Sequence, residues 1–252
     1  MFRHIIITGA SSGLGLALAK AYAAPGVTLG LTGRHRERLD QAADVCRQAG
    51  AEVITAILDV REGFKLAEWL QEFDDAHPVD LVIANAGVTY SVNGTTPLEP
   101  RAAIRDVFDT NFSGAVDTLN PLLERMRTRG KGHAVVISSL SAFRGIPLFP
   151  AYAASKAAVK SYYEAVRGAL RRDGVIITLA CPGFVETPMT EKLRTSNWRQ
   201  LGVDDAARVI VRGVAKGRPT IVFPRLHFLG LWSLQWLPAK WADWVLLKLF
   251  LK

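Results

Sequence analysis

Tyr152 and Lys156 stand four positions apart in Tyr152-Ala153-Ala154-Ser155-Lys156, and Ser139 lies 13 residues before them. On a helix, a spacing of four puts phenol and ammonium on one face, one turn apart. A free phenol titrates near pH ~10 and a neighbouring cation favours its ionised form, so the pair has the makings of a tuned proton donor. Alone, Tyr-x-x-x-Lys is weak, since ordinary composition produces it often. Ser139 strengthens it, because it falls at the predicted end of a strand, on the sheet edge where ligands of doubly wound folds bind.

A second constellation opens the chain. The first predicted strand runs into Thr8-Gly9-Ala10-Ser11-Ser12-Gly13-Leu14-Gly15, and a helix follows. Glycines permit positive φ and close backbone approach to a pyrophosphate, and the helix N-terminus offers free N–H groups. After strand one, such a turn is expected to bind a dinucleotide; the plainer alternative is a tight corner. The second strand leads into Leu31-Thr32-Gly33-Arg34-His35-Arg36. An acid there would accept from an adenosine 2′-hydroxyl; none is present, and Arg34 and Arg36 suit a 2′-phosphate. The expected cofactor is NADP(H) in preference to NAD(H), against the alternative that these arginines only cap a solvated loop.

These groups need a scaffold that gathers strand ends. Apolar runs rich in β-branched residues occur at His4–Thr8, Val27–Thr32, Glu52–Leu58, Val79–Ala84, His133–Ser139, Gly174–Ala180 and Pro219–Phe223. Between them lie segments of helical period at Gly13–Ala24, Glu37–Ala49, Gly63–Ala76, Ala102–Thr128, Ala151–Arg172 and Asp204–Lys216. The alternation predicts an α/β fold: a single Rossmann-type domain over residues 1–224 with a doubly wound, seven-stranded parallel sheet, followed by a helical extension at 225–252.

Composition excludes several classes. The 252 residues are 49% apolar and 21% charged, which is globular. Cys46 and Cys181 form no C-x-x-C pair and the five histidines are isolated, so neither a disulfide framework nor a metal site is expected, and a reducing, cytoplasmic setting is favoured. The net charge of +8 comes without a nucleic-acid recognition motif, and a phosphate-rich cofactor would use part of it. Met1-Phe2-Arg3-His4 leads directly into Ile5-Ile6-Ile7, a start expected to carry no signal peptide.

From Ile5 to about Phe223 the sequence resembles the short-chain dehydrogenase/reductase family. The likeness rests on the Thr8–Gly15 loop, Asp59-Val60, Asn85-Ala86-Gly87, Asn111-Phe112-Ser113-Gly114, Ser139, Tyr152 with Lys156, and Pro182-Gly183 followed by Thr187. It implies that Tyr152 is the general acid/base, with Lys156 lowering its pKa and holding the nicotinamide ribose. Ser139 would polarise the substrate oxygen, and Asn111 would anchor a water that passes protons to Lys156. Gly9, Ser11, Ser12, Gly13, Leu14, Gly15 and Arg34 would hold the phosphates and the adenosine end. Asp59 and Val60 would meet the adenine, Asn85, Ala86 and Gly87 would pack along the cofactor, and Pro182, Gly183 and Thr187 would contact the nicotinamide. Phe143 and Arg144 depart from the small residues often found there, which leaves the substrate mouth open to question. The implied activity is hydride transfer between nicotinamide and the carbonyl or hydroxyl group of a hydrophobic substrate, in a homodimer or homotetramer built on the helices from Ala102 and Ala151. A cofactor-binding sensor or scaffold without turnover is the alternative, but it usually loses Tyr or Lys, and all four of Asn111, Ser139, Tyr152 and Lys156 are present.

Substrate choice is expected in Pro188–Val203, with Met189, Leu193 and Trp198 as lid contacts, and in the tail. From Arg218 onward the chain carries four of its six tryptophans and one acid, Asp243. Apolar runs at Leu226–Leu237 and Trp241–Leu251 flank Pro238, and neither reaches the roughly 18 residues of a bilayer span. The second predicts an amphipathic helix with Lys240, Asp243, Lys248 and Lys252 opposite Trp244, Leu247 and Phe250. Peripheral membrane contact is the leading expectation; a subunit interface and an active-site cover are the alternatives.

Overall fold

A strand buried on both faces must be apolar at every position, and its odd and even residues then feed two different cores. The computed structural model describes residues 2–92, 98–191 and 200–250. Among them the strands are β1 (His4–Ile7), β2 (Thr28–Gly33), β3 (Glu52–Ile57), β4 (Leu81–Ala84), β5 (Gly132–Ile137), β6 (Val175–Pro182) and β7 (Thr220–Phe223). They pair in parallel in the order β3-β2-β1-β4-β5-β6-β7, so the winding direction reverses between β1 and β4. The expected seven-stranded doubly wound sheet is what the chain forms.

The helices are α1 (Gly13–Tyr22), α2 (Arg36–Gln48), α3 (Gly63–Ala76), α4 (Arg101–Phe108), α5 (Gly114–Arg129), α6 (Pro150–Arg172), α7 (Pro188–Glu191), α8 (Val203–Ala215), α9 (Arg225–Ser233) and α10 (Ala239–Phe250). Ile5, Ile7, Leu29, Leu31 and Ile83 point to the layer made by α1, α2 and α8. Ile6, Val82, Val136 and Leu179 point to the layer made by α3, α5 and α6. Each fully buried Ile or Leu gains about 1.5–3 kcal/mol by leaving water, which makes this alternation decisive for the sheet.

Three expectations are corrected. The helix predicted over Ala102–Thr128 is broken by a π-helical turn at Asp109–Ser113. Asn111, inside that turn, accepts from the Val88 N–H (2.8 Å) and donates to the Val88 carbonyl and to Ser155 Oγ (both 3.0 Å). These side-chain bonds tie the turn to the segment after β4 and to α6. Ser139 does not end β5, which stops at Ile137; it caps the 3₁₀ turn Leu140–Ala142.

The tail also differs. Leu231, Leu234, Ala242, Leu246 and Phe250 belong to the buried cluster beneath α6. Trp244 and Leu247 are exposed beside Lys240, Asp243 and Lys248, so polar and aromatic residues share the outer face. Trp244 lies four residues from both Lys240 and Lys248, and helical spacing therefore puts it on their side. Lys252 lies outside the described residues.

Candidate active site

The loop after β1 is shaped by two glycines with positive φ, Gly9 (+66°) and Gly13 (+52°). A Cβ on Gly9 would also sit 2.8 Å from Ala86 Cα, so only glycine fits. Ser12 is the N-cap residue of α1 but its side chain caps nothing, leaving the first-turn amides to meet what lies in the cleft. Asn85 holds the loop in place, its Nδ2 donating to the Thr8 carbonyl (3.0 Å) and the Gly9 carbonyl (3.1 Å). Gly15 stands behind this wall: a Cβ there would fall 2.2 Å from the Gly9 oxygen.

A cleft of about 300 Å³ runs from this loop across the carboxyl ends of the strands. Its walls carry Gly9, Ser11, Ser12, Gly13, Leu14, Arg34, Asp59, Val60, Asn85, Ala86, Gly87, Tyr152, Lys156, Pro182, Gly183 and Thr187, each expected there from the sequence. Gly15 and Asn111 support the walls from behind, and Ser139 faces a second, adjoining pocket. Arg36 is not on the cleft wall; His35 and Arg38 are. Two residues along a helix is more than half a turn, so once α2 begins at Arg36 the position that faces the same way as the β2 loop is Arg38. The helix start was the available signal. Val88 and Thr110, also on the wall, were missed although each adjoins a recognised motif.

At the β2 end, Asp59 lies 3.6 Å from Arg34 and 2.6 Å from Arg61. Hydrogen bonds from Arg61 hold its carboxyl below the usual carboxylate range, against the opposing pull of burial.

At the other end, Lys156 is buried and its Nζ donates to the Ile137 carbonyl at 2.8 Å, 5.8 Å from the centre of the Tyr152 ring. Pro150 in the first turn of α6 sets the helix start, and the Ala151 N–H is met by Glu99 Oε2 at 2.7 Å, which fixes where Tyr152 projects. Ser139 lines the same pocket as the phenol, and its Oγ accepts from the Ser141 N–H at 3.1 Å. A Cβ on Gly87 would lie 3.2 Å from Asn111 Oδ1 and 3.5 Å from Lys156 Nζ, so glycine keeps the space beside the lysine open.

Burial pushes the Tyr152 phenol above its ordinary value, with Ser139 pulling it back. Burial pushes the Lys156 ammonium down to about 8. Both shifts share one cause, since removing the two groups from water disfavours both charged forms.

The second pocket, about 70 Å³, has Ser139 and Tyr152 at one end and is otherwise largely apolar. Leu140, Ile146, Phe149 and Phe184 come from the main domain, and His227, Leu231 and Phe250 come from α9 and α10. Met189, expected as a lid contact, lines both cavities; Leu193 and Trp198 lie outside the described residues. Phe143 and Arg144 hold the tail down. Phe143 packs edge-on against Phe228 with centroids 4.9 Å apart, and Arg144 pairs with Asp243 at 3.1 Å. Tail packing thus favours the active-site cover among the three alternatives for its inner face.

The chain matches the family model described as short chain dehydrogenase over residues 3–198. An uncharacterized oxidoreductase of Myxococcus xanthus is 37% identical over 229 residues, 88% of each chain. The ketoacyl reductase HetN of Nostoc is 34% identical over 217 residues, covering 84% of this chain and 75% of the relative. Among solved structures, a short chain dehydrogenase/reductase from Burkholderia phymatum in complex with NAD superposes with a TM-score of 0.82 over 91% of both chains, at 26% identity.

Proposed function

The chain belongs to the short-chain dehydrogenase family, and from that premise we propose that it is an NADP(H)-dependent oxidoreductase acting on a carbonyl/hydroxyl pair in a hydrophobic substrate. One observation carries the proposal: Tyr152 lines both cavities, with the polar cleft and Lys156 on one side and the apolar pocket with Ser139 on the other.

The cleft suits a nicotinamide dinucleotide. Uncapped α1 amides and the Gly9–Gly13 turn would hold the pyrophosphate, and the opening kept by Gly87 would take the nicotinamide ribose beside Lys156. Pro182, Gly183 and Thr187 would lie along the nicotinamide. When bound, the cofactor supplies or accepts hydride at the Tyr152 end. Ser139 then hydrogen-bonds the substrate oxygen, and Tyr152 gives that oxygen its proton in reduction and removes it in oxidation. Asn111 acts by position: it ties the Val88 backbone to Ser155 on α6 and so sets the wall beside Lys156. Its side chain is largely engaged there, and the water relay assigned to it is proposed on the family likeness.

NADP(H) preference is supported by Arg34 and Arg38 on one wall. Asp59 is already met by Arg61 at 2.6 Å, so most of the five Arg34 donors remain for a 2′-phosphate. A hydrophobic substrate is supported by the aromatic and aliphatic lining of the second pocket.

For the outer face of the tail we propose peripheral contact with a membrane surface in the cytoplasm. Trp236 and Trp241 are 74% and 64% exposed, and Lys240 and Lys248 are exposed on the same tail. No described helix is long and apolar enough to cross a membrane. A second copy of the chain would dock on the α4–α6 face, where Ile104 and Tyr162 are exposed.

The test is a fluorescence titration with NADPH and NADH, followed by turnover of aldehydes and ketones of increasing chain length. Tighter NADPH binding with rates that rise with chain length supports the proposal. Tight binding without turnover of any carbonyl would overturn it in favour of a sensor or scaffold.

A further inference from the structure

The apolar pocket holds more hydrogen-bonding capacity than a simple ketone can use. Ser141 is 5% exposed, and among the described residues its Oγ has no hydrogen-bond partner. Thr89 Oγ1, from the segment after β4, is likewise buried without a partner. Both residues line the same pocket as Ser139 and Tyr152. A buried hydroxyl with no partner is costly to the folded protein, and a bound group that completes its bonds offsets that cost.

The Ser141 N–H donates to Ser139 Oγ at 3.1 Å, so the two residues sit side by side on the pocket wall. Ser139 is the group assigned to the reacting oxygen, and Ser141 therefore reaches atoms close to that oxygen. Beyond them the lining is mostly Leu140, Ile146, Phe149, Phe184, Leu231 and Phe250, with Thr190 and His227 as its remaining polar side chains.

We propose that the substrate carries a second hydrogen-bonding oxygen near its reacting carbonyl, received by Ser141 and Thr89, on an otherwise apolar skeleton. This rests on the oxidoreductase function proposed above and narrows its substrate class to vicinal or 1,3-dioxygenated compounds. Plain ketones and aldehydes would leave both hydroxyls unsatisfied and be the poorer substrates.

The experiment compares a straight-chain 3-oxo ester with the unsubstituted ketone of equal chain length, in the wild type, Ser141→Ala and Thr89→Val. Both substitutions nearly conserve volume, and a melting curve checks that each variant is folded. The expected result is a preference for the 3-oxo ester of about tenfold or more in kcat/KM, carried mainly by KM, which either variant reduces several-fold. The same pair is also measured by quenching of intrinsic fluorescence on the NADPH-loaded protein, where no turnover is needed. If neither compound is turned over yet the 3-oxo ester binds more tightly and Ser141→Ala abolishes the difference, the pocket assignment stands while the oxidoreductase reading fails. Equal binding of the two compounds by the wild type, or a preference that both variants leave intact, would overturn the proposal.

Discussion

Phe250 and Tyr152 line one apolar pocket, although Phe250 ends α10 and Tyr152 stands in the first turn of α6. The tail therefore closes one side of the apolar pocket that Tyr152 lines. Phe250 is 5% exposed, and its replacement by alanine should cost about 3–5 kcal/mol of stability through lost burial and a new cavity. The melting temperature should fall, and the enlarged chamber should accept bulkier carbonyl compounds. An unchanged melting temperature and chain-length profile would mean that Phe250 does not close the pocket.

Tyr152→Phe removes one oxygen and keeps the ring. Turnover should drop by about 10²–10⁴, the range expected for loss of a positioned proton donor, while the NADPH dissociation constant moves by no more than about twofold. A variant that turns over near the wild-type rate would remove Tyr152 from the chemistry.

Arg34→Ala and Arg38→Ala separate the two cofactors. Each should weaken NADPH by about tenfold or more, as expected for a lost charge-assisted hydrogen bond, and leave NADH nearly unaffected. The NADPH affinity of the wild type should also decline more steeply with salt. Parallel losses for both cofactors would place these arginines away from the 2′-phosphate.

Truncation after Phe223 cannot test membrane contact, because it removes Leu231, Leu234 and Leu246 from the core. Replacing the exposed Trp236, Trp241 and Trp244 together by glutamine acts on the outer face alone. The triple variant should melt like the wild type and lose sedimentation with anionic phospholipid vesicles. Should it sediment as before, the lipid contact lies elsewhere.

Asp74 is fully buried against Arg125 and Arg129. Burial would raise its carboxyl, but hydrogen bonds from Arg129, the Val79 N–H and Arg125 together hold it below its ordinary value. A carboxyl depressed in the folded state contributes stability that is present above its unfolded value, near pH ~4, and is lost as the pH falls through the lower folded value. Asp74→Asn should therefore flatten the acid side of the stability curve below pH ~4. It should also cost about 1–3 kcal/mol at neutral pH, by leaving Arg129 without its carboxylate and Arg125 with Asp75 alone. Denaturant titrations across pH would show this, and parallel curves for variant and wild type would refute it.

The amino-acid sequence by itself determined the sheet, the number of its strands and most of the cleft. Strands buried on both faces have no choice but to be apolar and β-branched, as Ile5-Ile6-Ile7 and Val135-Val136-Ile137 are, and a turn at positive φ beside another backbone has no choice but glycine, as at Gly9. Such constraints are local and leave a mark at each position. What the tertiary structure decided depended on where side chains point once helices dock. The π-turn carries Asn111 to where its amide meets Val88 and Ser155, partners far away in sequence. Arg38 joins Arg34 because α2 starts at Arg36, not earlier or later. In α10 the inner face is Ala242, Leu246 and Phe250, chosen by docking on the core rather than by hydrophobicity, since Trp244 and Leu247 are apolar too and remain outside. Helical periodicity makes several apolar stripes available in so apolar a segment, and only docking against a neighbour selects one of them.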